Sequence, residues 1–222
     1  MSVKLILTAL AASLLLAAVV STASAASLST SNQNIRATWT SLEFEGTGTG
    51  LFIRCQVTLE GSFHSRTIAK VARSLIGAIT KGQVKQETCT NGRGATFNGV
   101  ERYNGTTSPN TLPWHLTYES FRAVNGLPNI ESIRILLSRF RFGIELPGLC
   151  TGQVGNATDN VSADATLGAG GAITELRPTV GANVANIIRR DGGISCPTTG
   201  RLTGRAEVML LGNTTRISIT LI

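Results

Sequence analysis

The segment Leu51 to His64 leaves a chain like this few ways to fold. Its odd positions read Leu51, Ile53, Cys55, Val57, Leu59, Gly61 and Phe63. Its even positions, after Phe52, read Arg54, Gln56, Thr58, Glu60, Ser62 and His64. Successive side chains of a strand point to opposite faces, so this alternation describes a long β-strand with one face in a core and the other in water. A strand of that length is expected to bend or bulge near Gly61.

The neighbouring segments extend the same pattern. Asn34 to Glu45 reads as a preceding strand, joined by the Gly/Thr run Gly46 to Gly50 as a hairpin. Ile68, Val71, Ala72, Leu75, Ile76 and Ile79 fall at helical spacing, yet the residues leading to Cys89 suit a strand. A short helix or irregular turn near 66–74, followed by a strand, is the expectation. Asn91 to Thr111 is turn-rich, with Asn-Gly at Asn91, Asn98 and Asn104. The apolar phase is odd at Ile133, Ile135 and Leu137 and even at Phe140, Phe142 and Ile144, which predicts a bulge between 137 and 140. Gly152 to Gly171 shows no clear period and is expected to be loop. The chain ends in an expected hairpin turning at Gly212-Asn213, with Ile217, Ile219 and Leu221 on one face. Short strands between Gly-rich turns make the fold class all-β: an antiparallel sandwich or barrel-like domain, with at most one short helix near 66–74.

The ends and the cysteines speak to compartment. Lys4, the apolar run Leu5 to Val20 and the small-x-small tripeptide Ala23-Ser24-Ala25 make a secretory signal peptide over residues 1–25. Cleavage after Ala25 leaves residues 26–222 as one domain, secreted or held at the cell surface, and no later stretch has the length of a transmembrane helix. All four cysteines, Cys55, Cys89, Cys150 and Cys196, lie in that part, and no CxxC metal spacing is present. Two disulfides are expected; of the three possible pairings, Cys55–Cys89 with Cys150–Cys196 brackets the most local units. An outer-membrane barrel needs aromatic girdles, and only 5% of this chain is aromatic.

The formal charge is +7, or +6 without Lys4. Such a balance draws an exported protein to anionic polymers, and the least arbitrary partner is an anionic cell-envelope polymer. The basic residues are scattered, no run exceeds Arg189-Arg190 and stacking aromatics are few, so nucleic acid is not an expected partner.

One stretch resembles an active site. Leu112 to Phe121, LPWHLTYESF, holds a tryptophan, a histidine, a tyrosine and a carboxylate. As a strand beginning beside Pro113, it puts Leu112, Trp114, Leu116 and Tyr118 on a core face and His115, Thr117 and Glu119 on the other. A histidine and a carboxylate on one face can do acid–base chemistry, and His64 could join them at a metal. The candidate site is therefore His64, His115 and Glu119, and the structural reading, two solvated side chains beside a core stripe, is preferred. No GxSxG elbow, HExxH pair or phosphate-binding loop is present, and neither a catalytic residue nor a cofactor is assigned. Four sequons, at Asn104, Asn156, Asn160 and Asn213, matter only along a eukaryotic route.

The stretches Gly61 to Ile68, Leu112 to Phe121, Leu127 to Leu137 and Leu210 to Ile222 resemble a group of uncharacterised secreted proteins of soil actinobacteria. The resemblance implies bacterial export and a β-rich domain, and it transfers no site. The sequence thus favours a non-enzymatic extracellular or cell-surface binding or structural β-domain. The alternatives are a secreted hydrolase or lyase using His115 and Glu119, or a carrier of small apolar ligands, which requires an interior cavity of roughly 300 Å³ or more.

Overall fold

A computed structural model of the protein describes residues 27–91, 93–94, 102–103, 106–107, 112–124, 129–146, 150–155, 159–179, 184–191 and 196–222. The expected leader and the turns at Asn98 and Asn104 lie outside the described residues. In chain order the strands begin with β1 (Ser27–Thr30), β2 (Asn34–Gly46), β3 (Phe52–Phe63), β4 (Thr67–Ala69) and β5 (Leu75–Thr90). The two-residue pieces β6 (Arg93–Gly94), β7 (Arg102–Tyr103) and β8 (Thr106–Thr107) follow. Then come β9 (Trp114–Ala123), β10 (Ile130–Ser138), β11 (Phe142–Leu146), β12 (Cys150–Val154) and β13 (Asn160–Leu167). The last are β14 (Ile173–Pro178), β15 (Val184–Asp191), β16 (Thr199–Thr203), β17 (Ala206–Leu210) and β18 (Ile219–Leu221).

Of the two architectures the sequence allows, the closed one forms. Strands β2, β3, β5, β9, β10, β13, β14 and β17 pair antiparallel in that order, and β17 pairs back onto β2 from Ala206↔Trp39 to Leu210↔Ile35. The result is an eight-stranded up-and-down barrel, which removes the exposed edges an open sheet would leave. Alternation then sorts the side chains. Ile35, Ala37, Trp39, Val57, Leu59 and Val208 point inward and are buried. The outer wall carries cross-strand ion pairs, Arg54–Glu43, Lys81–Glu60 and Arg134–Asp164. An outer-membrane barrel has the reverse arrangement, an apolar band outside, so this wall is built to face water. No described helix is long and apolar enough to cross a membrane.

Both barrel ends are covered. β2 is longer than the wall, and its register passes from Trp39↔Val57 to Leu42↔Cys55, so Thr40 and Ser41 form a bulge opposite Gln56. Beyond it β2 changes partner from β17 to β16, and β16, β15, β12, β11 and β6 continue as a second sheet. Phe142 of that sheet meets Phe44 edge-on at 5.8 Å, and Phe140 meets Trp114 at 6.2 Å, so aromatic rings close this end. At the other end lies the three-stranded sheet β18-β1-β4, which joins the lead into β2, the β3–β5 connection and the tail after β17. Its Leu28, Ile68 and Ile219 are buried in the same core cluster as the barrel interior. We call this the capped end.

Several expectations need correction. Segment 66–74 is the short strand β4 and a turn with Arg73 at φ 65, not a helix. Its helical spacing arises because Ile68 serves the cap while Ile76 and Ile79 serve β5, and Val71 is left 63% exposed. Residues 152–171, expected as loop, contain the end of β12 and all of β13. The interior face of β13 is Val161, Ala163, Ala165 and Leu167, and the small alanines hide its period of two. The phase slip after Leu137 is a change of strand and sheet, with Arg139 at φ 61, and not a bulge within one strand. The terminal hairpin is brief: Met209 bridges Arg216, and the chain then leaves to pair β18 with β1.

Other expectations hold. β3 alternates as read, and its register against β5 shifts between Glu60 and Gly61. Cys55 and Cys89 form a disulfide across β3 and β5. Closing a loop of 34 residues contributes about 4 kcal/mol in the chain-entropy model, an upper figure. Cys196 is buried, with its Sγ 3.9 Å from the carbonyl of Thr151, while the Cys150 side chain lies outside the described ones.

Candidate functional site

β9 buries Trp114, Leu116 and Tyr118 and turns His115, Thr117 and Glu119 to the outer wall. His115 is half-buried, in register with Ala78 of β5 and Ser138 of β10. Glu119 sits at a bulge, where the register steps from Tyr118↔Ile135 to Ser120↔Arg134. Freed from a direct partner, its carboxylate accepts a 2.8 Å hydrogen bond from Ser162 Oγ. Four residues of strand rise put about 13 Å between His115 and Glu119. His64 is exposed beyond the end of β3, its N–H donating to the Ile76 carbonyl, so β5 stands between it and β9. Two strand spacings correspond to about 10 Å. The fold does not gather His64, His115 and Glu119 into one concave site. Among the described residues, no three His, Cys, Asp or Glu side chains are grouped closely enough to hold a metal ion.

The polar side chains that do converge make a saturated network. Arg134 donates through Nε and Nη2 to the two carboxylate oxygens of Asp164, at 2.8 and 3.3 Å, and Thr179 Oγ1 donates to Asp164 Oδ2 at 2.9 Å. Burial pushes the Asp164 carboxyl upward, but hydrogen bonds from Arg134 and Thr179, with the charges of Arg134 and Arg177, outweigh it and hold its pKa below the ordinary aspartate value. The buried Ser162 hydroxyl is spent on Glu119, and no histidine stands beside it to act as a base. This arrangement braces β9, β10, β13 and the end of β14; it offers no activated nucleophile.

The surface is more informative at the capped end. Six large hydrophobic side chains are exposed among the described residues, and five of them, Val71, Leu75, Val124, Leu211 and Ile222, lie there. The turn that carries Val71 is laid along β9, with Arg73 N–H donating to the Tyr118 carbonyl at 2.6 Å and Lys70 over the Phe121 ring at 5.2 Å. The side chains of this end include the cations Arg66, Lys70, Arg73, Arg122 and Arg216. Arg122 pairs with Glu131 at 2.8 Å, and no salt bridge among the described residues neutralises the other four. Cations that are scattered in sequence are collected here because β4, the end of β9 and the tail all lie at one end of an up-and-down barrel.

The barrel interior is a further concavity among the described residues. It encloses a cavity of about 160 Å³ whose lining side chains are apolar, including Trp39, Trp114, Ala165 and Val208. That is about half the volume a carrier of ordinary small ligands requires. Neither the capped end nor this cavity is visible in sequence order, since each is assembled from at least three distant segments. The nearest sequence signal is the run of exposed-phase aliphatics flanked by Lys70 and Arg73.

No protein-family model, no curated protein and no solved structure matches this chain.

Proposed function

We propose that the protein is a non-enzymatic, exported β-domain that docks through its capped end on an anionic polymer of the cell envelope. The observation that carries this reading is the coincidence, at one end of the barrel, of five exposed aliphatic side chains with four cations that no salt bridge among the described residues neutralises. Each cation near a strongly anionic surface contributes about 1 kcal/mol, and the aliphatics add contact area that water does not compete for. The leader read over residues 1–25, the Cys55–Cys89 disulfide and the water-facing wall all suit a protein working outside the cell. A hydrolase built on His115 and Glu119 has less support, because Glu119 is bound to Ser162.

The test is retention of the chain from Ala26 onward on dextran sulfate beads, with neutral dextran as reference. Retention at about 0.05 M salt should fall steeply by about 0.5 M, as screening shortens the reach of each charge. The triple variant R66E/K70E/R73E should elute early even at low salt. A wall variant, R54E/K81E/K85E, makes the same change in charge and should be retained nearly as the parent is. Retention that ignores salt, or that the wall variant loses as completely as the capped-end variant, overturns the proposal.

A further inference from the structure

We infer that the barrel interior is a binding site for one compact, uncharged hydrocarbon of single-ring size, recognised by shape and apolarity without a hydrogen bond. The site is separate from the capped end and does not rest on the reading of it. Volume sets the first limit. Close-packed interiors leave few voids larger than a water molecule, whereas this one encloses about 160 Å³ that its side chains do not fill. Ala37 of β2 and Ala163 and Ala165 of β13 line that space, where larger side chains would have closed it. The volume matches the roughly 150 Å³ apolar cavities that admit benzene or xenon. It falls well below the roughly 300 Å³ from which pockets for larger ligands start. Eight strands leave an interior of this kind, nearly filled by side chains or holding one small ligand.

The wall sets the second limit. The side chains that line the cavity are apolar, and the strand backbones of the barrel are paired with one another in antiparallel ladders. The indole nitrogens of Trp39 and Trp114 each have less than 1 Å² of accessible surface, so these two lining rings offer no donor to a molecule inside. An ion or a hydroxyl brought inside would lose its hydration and find no partner. Water is at the same disadvantage, since a buried water needs several polar neighbours. A hydrocarbon gives up nothing polar and supplies the dispersion contacts that the lining atoms lack on that side. Preference for a hydrocarbon over its hydroxylated isostere, with an upper limit on size, is therefore the signature of the site.

Toluene and phenol have nearly the same shape and differ by a methyl group against a hydroxyl. In calorimetry the chain from Ala26 onward should bind toluene saturably, one molecule to a barrel, and about tenfold or more tightly than phenol, the range set by burying a hydroxyl without a partner. Decanoate, longer and charged, should not displace toluene. A165F, which fills the cavity from β13, should abolish toluene binding. Uptake of toluene that does not saturate, phenol bound as tightly as toluene, displacement by decanoate, or parental affinity in a folded A165F overturns the inference. The comparisons within the parent chain stand even where that variant fails to fold. R66E/K70E/R73E should bind toluene as the parent does, which keeps this site distinct from the capped end; loss of binding there would overturn its placement in the barrel interior.

Discussion

Ser162 Oγ donates to Glu119 Oε2 over 2.8 Å, a contact that reaches from β13 across Leu136 of β10 to the bulge of β9. Ser162 is buried, so its hydroxyl needs this acceptor, and the carboxylate is engaged in an outer-wall brace about 13 Å along the strand from His115.

A double-mutant cycle separates these roles. S162A and E119A, measured singly and together by urea unfolding, should show a coupling of about 1.5 kcal/mol or more, as a hydrogen bond to a charged group does. H115A and E119A should add to within about 0.5 kcal/mol, the behaviour of residues without a shared contact. A coupling of 1 kcal/mol or more between His115 and Glu119 would instead mark them as a working pair.

Asp164 predicts how the barrel responds to acid. Its folded-state pKa is lowered, so its contribution to stability is complete above the unfolded aspartate value of about 3.9 and is lost as pH falls through the lower folded value. D164N abolishes that dependence. At pH 7 the variant should be less stable by about 1–2 kcal/mol, a modest figure because the Arg134 side chain is 41% exposed and its attraction is screened. As pH falls below about 3.9 the parent should progressively lose this advantage and the two unfolding midpoints should converge. A gap that is as wide at pH 2 as at pH 7 would show that Asp164 acts by packing alone.

What the sequence made legible followed how local each signal is. The alternation of Leu51 to His64 and the Trp114, Leu116, Tyr118 stripe appear as read, because a strand's two faces are written into successive residues. β13 escaped because Ala163 and Ala165 carry its inner face with little contrast. The break at Arg139 looked like a bulge because a parity slip does not say whether the chain continues or turns away. Closure was beyond reach: Trp39 and Ala206 pair across most of the chain, and nothing near either residue names the other. The same reason hides the candidate sites, since Lys70, Arg122 and Arg216 become neighbours of one barrel end only after the strands are ordered.

Gly61 offers the sharpest check on the register that all of this rests on. A Cβ built there would press on the carbonyl oxygen of Ala78 and sit 2.9 Å from Ile79 Cα, both backbone atoms of β5 that a side-chain rotation cannot clear. Its φ is not left-handed, so the demand comes from close strand approach at the β3–β5 shift rather than from backbone conformation. G61A should therefore cost about 2–3 kcal/mol, as overpacking a filled interior does. For a chain of this size that is a fall in Tm of roughly 5–10 °C. G48A is the contrast: Gly48 has φ 74 with nothing within 4 Å of its added Cβ, so it should cost only about 1 kcal/mol, from the left-handed backbone alone. Thermal unfolding of the two variants side by side makes the comparison. If G61A proves no worse than G48A, β3 and β5 do not approach as described, and the bulge expected from the sequence at Gly61 lies elsewhere in the strand.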